Sequence, residues 1–238
     1  MRQLSKSKII AFRQCPKRLW LELHRPELRD DSGSEVAFSI GNQVGDIARS
    51  IYDPEGQGLL IDVDQMGWEA AYATTAEWLE KDHHPIFEAA LRIPGALALA
   101  DVMLPEQEDG TLRWHMIEVK SSTSVKDYHR DDLALQAYIA KESGVSLSRV
   151  SLGHIDNTFV YPGGGNYRGL LHEADLTEEV ASRVGEVVAW LEEAHEIAER
   201  TTEPQIEPGS QCYAPFTCGF CSYCIPEEEH PPEYPLTS

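Results

Sequence analysis

The chain of 238 residues has no apolar run that approaches the roughly 20 residues needed to cross a bilayer. Its opening stretch, MRQLSKSKIIAF, is too short in its apolar part and too basic around it for a secretory leader. A cytoplasmic protein with no membrane partner is therefore expected. Positive charge is scarce as well. Twenty Lys and Arg stand against 40 Asp and Glu, a net charge of −20, which argues against a surface that neutralises phosphates everywhere. Cysteine is limited to five residues, and in a reducing compartment five are no disulfide framework. His83, His84, His129 and His154 lack ligand spacing with one another, so surface or core roles are expected for them. The run Gly163-Gly164-Gly165 has no strand-to-helix phosphate motif around it. No internal repeat is visible.

What is present is ordinary for a globular domain: 42% hydrophobic and 25% charged residues, in a length that allows one core with a small appendage. The charge is unevenly placed. Residues 1–29 hold eight basic residues and two acidic ones, +6, so the rest of the −20 chain carries −26. A local basic face on an acidic body remains compatible with DNA, and a solvated helix face is the plainer alternative.

The apolar spacing predicts a helix over 5–24, capped by Ser5 or Ser7 and broken at Pro16 with Cys15 at the joint. A polar loop, 29–34, leads to a second helix, 35–52, in which Gly41 and Gly45 lie four apart and would let another backbone approach. A short strand, LLIDV, and a helix over 67–81 follow. The pattern then turns to strands: IFEAALRI, ALALADVML and LRWHMIEVK, separated by Pro94-Gly95 and by the acidic turn EQEDG. A helix is expected over 127–142, a strand over 147–161, and a long helix over 176–200 with Thr177 as N-cap. Trp20, Trp68, Trp78 and Trp190 are assigned to the core. The order implies an α/β fold with a mixed sheet.

The chemistry concentrates in Asp101, within ALALADVM, and in Glu118-Val119-Lys120. Strand side chains alternate, so Glu118 and Lys120 share a face, and antiparallel pairing can set Asp101 beside Glu118. Phosphodiester hydrolysis needs a divalent cation that polarises the phosphate and acidifies water. Magnesium and manganese take oxygen ligands, and two carboxylates with the Val119 carbonyl supply a half-shell. Lys120 can orient the attacking water or stabilise the developing charge. An exposed strand face with a cross-strand ion pair is the alternative.

The segment DVMLPEQEDGTLRWHMIEVKSSTSVKDYHRDDLALQAY resembles the core of RecB-like PD-(D/E)xK nucleases, and within them the iron–sulfur exonucleases of CRISPR adaptation modules and their bacterial relatives. The resemblance runs from Ser5 to Cys224. It implies a restriction-endonuclease-like core with a mixed central sheet flanked by helices. It also implies Asp101 and Glu118 as metal ligands, Lys120 as the catalytic lysine, and Gln136 and Tyr138 facing the site from the following helix. Two departures stand out. Where relatives carry a ligand histidine four residues after a glycine, this chain has Gly45; Glu88 is the substitute considered. Tyr138 follows Gln136 by two residues rather than four.

Cys15, Cys212, Cys218, Cys221 and Cys224 read by spacing as a zinc or iron–sulfur site. The setting CPKRLW matches the lone N-terminal cysteine of the resembled family, which implies a 4Fe–4S cluster closing the domain. Cys15, Cys212, Cys218 and Cys224 are the favoured ligands, with Cys221 in place of Cys212 still open. On this reading the whole chain is one nuclease domain: 1–30 and 204–226 form the iron–sulfur part, 53–175 the nuclease core, and 227–238 a tail. The expected activity is Mg- or Mn-dependent DNA hydrolysis, as an exonuclease on single strands or ends, with protein partners in DNA processing or defence. A noncatalytic DNA-binding or assembly module, stapled by iron–sulfur or zinc, is the alternative.

Overall fold

The structure, a computed structural model, describes residues 2–30, 35–81 and 83–225, with the backbone alone for 35–39. The expected tail, 227–238, and most of the 29–34 loop lie outside the described residues.

The N-terminus forms a two-residue strand, β1 (Leu4–Ser5), and two helices, α1 (Lys6–Gln14) and α2 (Pro16–His24). Ser5 caps α1 by accepting from the Lys8 amide. Cys15 is extended at the joint, and Pro16 starts α2, where its missing N–H costs nothing. Next come α3 (Glu35–Tyr52), β2 (Leu59–Leu60), α4 (Val63–Met66) and α5 (Trp68–Lys81). The meander β3 (Ile86–Ile93), β4 (Ala96–Glu108) and β5 (Thr111–Lys120) is antiparallel. Helix α6 (Asp127–Glu142) crosses over to β6 (Leu147–Ile155), which runs parallel to β5. After β7 (Leu171–Asp175), which is antiparallel to β6, come α7 (Thr177–Ser182), α8 (Val184–Glu199) and the single turn α9 (Cys221–Cys224).

The described residues thus form an α/β fold with a mixed seven-stranded sheet, β2-β3-β4-β5-β6-β7, and β1 paired with β4. One face meets α5, α6 and α8 through Ala71, Leu133, Leu135, Ile139, Val187 and Trp190. Ala96, Ala98 and Ala100 alternate along β4 and are buried, and such small side chains let helices come close to the strand. The other face carries Phe87, Val102 and Ile117 against Tyr52 of α3. No helix among the described residues is long and apolar enough to cross a membrane.

Two strands share one edge of β4. β5 pairs with Val102–Glu108, and β1 pairs with Ala96–Leu97. Between them, over 98–101, the edge passes from one partner to the other. This fork places the end of β5, the start of α1 and Asp101 at one point.

Several expectations need correction. LLIDV is a strand only at Leu59–Leu60, because Asp62 caps α4 by accepting from the Asp64 and Gln65 amides. The strand expected over 147–161 stops at Ile155, where Asp156 folds a turn onto the Thr158 amide (2.8 Å) and Val160 is left 83% exposed. The helix expected over 176–200 is broken at Arg183. Thr177 is not its cap: its hydroxyl accepts from the Val150 amide, while Asp175 accepts from the Thr177 amide. Trp68 is 40% exposed and rests on Tyr72 rather than in the core.

Candidate functional site

β4 and β5 set the acids. Their register pairs Val102 with Ile117, which brings Asp101 and Glu118 to facing positions one step further on. The Asp101 carboxylate accepts the Val119 amide at 2.7 Å. On the other side of β4, Glu88 lies between the pairs Phe87–Val102 and Ala89–Ala100, so it faces Asp101 as well. Its φ is +55°, a conformation that non-glycine residues rarely hold and that clusters at functional sites. Glu88, Asp101, Glu118, Val119 and Lys120 line one cleft of about 580 Å³ beside α3.

Gly41 and Gly45 line the same cleft, and nothing stands within 4 Å of where a Cβ would be. They leave space rather than admitting a second backbone, contrary to the expectation from their spacing. Gly45 thus lines the same cleft as Glu88, Asp101 and Glu118.

Glu118 is 2% exposed. One of its oxygens accepts from Lys120 (2.6 Å) and from Lys6 (2.9 Å). Lys6 also reaches the Gln136 carbonyl oxygen (2.5 Å) and Asp132 (3.4 Å), and Lys120 hydrogen-bonds Asp132. The site thus contains a second lysine and a further carboxylate, Lys6 and Asp132, that sequence reasoning did not single out. Asp132 precedes Gln136 by four on α6, a spacing that puts both on one helical face. Lys6 carried no such signal, because it enters from the start of α1, far from the other site residues in sequence. Tyr138, expected at the site, instead packs against the main core. An advance of two residues turns a side chain to another face of a helix.

The electrostatics divide the carboxyls into two sets. Burial opposes the charged forms of Lys6, Lys120 and Asp132. Their mutual contacts outweigh it, so both lysines are held above the usual range and Asp132 well below. Burial, then Glu118, raises Asp101 to about 8. Burial and Glu118 also raise Glu88. The second oxygen of Glu118 and the amide nitrogen of Gln136 are buried without a hydrogen-bond partner. Two carboxyls pushed toward protonation, beside an unpartnered carboxylate oxygen, form a site short of positive charge. A divalent cation with oxygen ligands fits that donor set. Among the described residues, however, no three His, Cys, Asp or Glu side chains stand as a preformed metal-holding group, in the cleft or elsewhere.

All five cysteines are unpaired and line a second, small cavity between α2 and the segment 206–224. The Cys221 thiol donates to the Cys212 carbonyl (3.3 Å). Burial raises the Cys218, Cys221 and Cys224 thiols, Cys224 to about 11. Lys17 and Arg18 line the same cavity. Five thiols in one cavity are a donor set that fits a metal or an iron–sulfur cluster, which would have to displace their protons against that burial. Direct contacts join the N-terminal helices to the segment 200–216. Gln14 donates to the Gln211 and Phe216 carbonyls, Trp20 to the Arg200 carbonyl, and Lys17 pairs with Glu203.

The basic N-terminal segment is not a free cationic face. Lys8 and Arg18 pair with Glu22, Arg13 with Asp131, Lys17 with Glu203 and Arg25 with Glu27.

No protein-family model matches the chain, and no curated protein does. Fourteen solved chains match. One is the crystal structure of SSO0001, 15% identical, covering 94% of this chain and 87% of its own with a TM-score of 0.43. That likeness is too distant to carry an argument.

Proposed function

We propose that the protein is a Mg- or Mn-dependent deoxyribonuclease of the RecB-like PD-(D/E)xK type, acting on single strands or DNA ends. The observation that carries this reading is the meeting of Glu88, Asp101, Glu118 and Lys120 in one cleft at the fork of the sheet. A divalent cation would supply phosphate polarisation and an acidified water there. Glu88, Asp101, Glu118 and the Val119 carbonyl would hold it. The Lys120 ammonium lies 2.6 Å from Glu118, placed to meet the extra charge on a phosphate brought to those acids. Gln136 serves by holding Lys6 rather than by touching substrate. Cys15, Cys212, Cys218 and Cys224 would carry a 4Fe–4S cluster. The Cys221 thiol, turned to a backbone carbonyl, favours Cys221 as the spare. Protein partners in DNA processing or defence belong to the same reading.

The test is anaerobic purification followed by manganese-dependent cleavage of labelled single- and double-stranded DNA. Degradation of the single strand, abolished by EDTA, is expected. DNA binding without cleavage would favour the alternative of a noncatalytic module. One observation leans toward that alternative: both lysines already occupy Glu118 and Asp132.

A further inference from the structure

Strands β6 and β7 bring together a pair of metal-binding side chains that neither the acid cleft nor the thiol cavity uses. His154 on β6 and His172 on β7 are direct partners across the antiparallel ladder, and His154 is in register with Lys120 on β5. Register partners leave a sheet on one face, so the two imidazoles stand side by side. The pair is invisible in the sequence, because the loop 156–170 separates its members.

The separation of the rings suits a shared cation. Their centroids lie 5.2 Å apart, with the planes at 53°. A zinc–nitrogen bond of about 2.0–2.1 Å sets a ring centre roughly 3.2 Å from the metal, and a tetrahedral angle then places two such centres about 5.2 Å apart. Nδ1 of His154 faces the Ile155 carbonyl at 3.4 Å. A proton on Nδ1 directed there leaves the Nε2 lone pair for a metal, the usual arrangement of a ligand histidine. Negative charge is at hand in Asp156, whose Oδ1 accepts from the Thr158 amide (2.8 Å) and hydroxyl (2.7 Å). Those bonds first, then His172 and His154, hold its carboxyl below the usual range. Lys120, the cation on the other side of His154, is turned to Glu118 and Asp132. The backbone under the pair is fixed by the ladder and by the Asp156 amide, which donates to the Leu170 carbonyl at 2.8 Å. Among the described residues no third ligand is preformed, so water would complete the shell. His172 is exposed and His154 half-buried, which leaves the site open to solvent.

We infer that His154 and His172 form an open zinc site that clamps the base of the loop 156–170. Two imidazoles select a borderline cation such as zinc over the magnesium or manganese that suits the acid cleft. A bound zinc joins β6 to β7 through side chains and slows opening of the loop, within which Tyr161 and Tyr167 stack at 5.0 Å. The inference does not depend on the proposed nuclease reading.

The test is a zinc titration of the anaerobically purified full chain against a chromophoric zinc chelator, with His154→Gln and His172→Gln beside the wild type. Excess magnesium competes for the oxygen ligands of the acid cleft, and the thiols are common to all three proteins. The wild type is expected to bind one zinc more than either variant. Zinc at that ratio should also slow proteolysis within 156–170 in the wild type and leave it unchanged in the variants. Melting curves show which variants are folded. Should His154→Gln fail to fold, His172→Gln decides alone, because its side chain is exposed. Equal zinc content in the wild type and the folded variants, or loss of zinc in only one of two folded variants, would overturn the inference.

Discussion

Lys6 is the residue whose role is least visible before folding. It stands next to a two-residue strand, and its ammonium bridges Glu118, Asp132 and Gln136 across more than 110 residues of chain. If Glu118 is shared between Lys6 and a cation, removing Lys6 has opposite effects on two observables. Lys6→Gln should cost about 2–3 kcal/mol in chemical denaturation, the loss of hydrogen bonds to charged groups. The same variant should bind manganese more tightly than the wild type in titration calorimetry, since Glu118 loses one of the two ammonium groups that compete with the cation for its charge. Weakened binding together with lost stability would show a merely structural lysine. His129 offers a test by pH. Burial, then Lys120, lowers it to about 4, and its Nδ1 accepts the Lys126 amide at the start of α6. The unfolded chain takes up this proton near the usual value of about 6.5, and the folded chain only near 4. Stability should therefore fall as pH drops from 6.5 toward 4 and level off below. Denaturation midpoints for His129→Gln should show a shallower acid arm, and identical arms would remove His129 from that account. Asp101, Glu118 and Lys120 were legible in the sequence, because spacing on strands fixes which side chains share a face. Lys6 and Asp132 were not, because nothing local marks a contact made across the fold.

Elements governed by strong local signals were read well. Pro16 marked the break between α1 and α2 with Cys15 at the joint, and 127–142 matched α6. Errors arose where side chains overrode the apolar pattern, as with the caps and turns of Asp62 and Asp156. β7 went unrecognised because LHEAD is a polar edge strand with no buried residue to set a period of two. Arg183 interrupts the last long helix where its guanidinium turns in to Asp131 (2.5 Å) and over the Trp190 ring. Helix α1 has a wider consequence, since Lys6 opens it and Cys15 closes it. The acid site and the thiol cavity therefore share one rigid element of nine residues. Replacing Cys15, Cys212, Cys218 or Cys224 by Ser should each lower iron content in anaerobically purified protein, while Cys221→Ser should retain it. Full iron in Cys212→Ser together with loss in Cys221→Ser would exchange the two in the ligand set.

On the scale of the whole molecule, charge is sorted rather than averaged. The basic surplus near the N-terminus is spent on ion pairs that seat α1 and α2, so it offers no broad phosphate-binding face. The lysines beside the acids are paired as well, Lys6 and Lys120 with Glu118 and Asp132. On the proposed nuclease reading, affinity for nucleic acid should therefore depend on few phosphates. The account stands on Asp101, Glu118 and Lys120 acting together on a phosphodiester. The most direct measurement is manganese-dependent cleavage of labelled single-stranded DNA by wild type, Asp101→Asn and Lys120→Gln, with melting curves to show that each variant is folded. The account predicts cleavage by the wild type and a loss of at least about a hundredfold in each folded variant. Cleavage by folded Asp101→Asn or Lys120→Gln at the wild-type rate would contradict it.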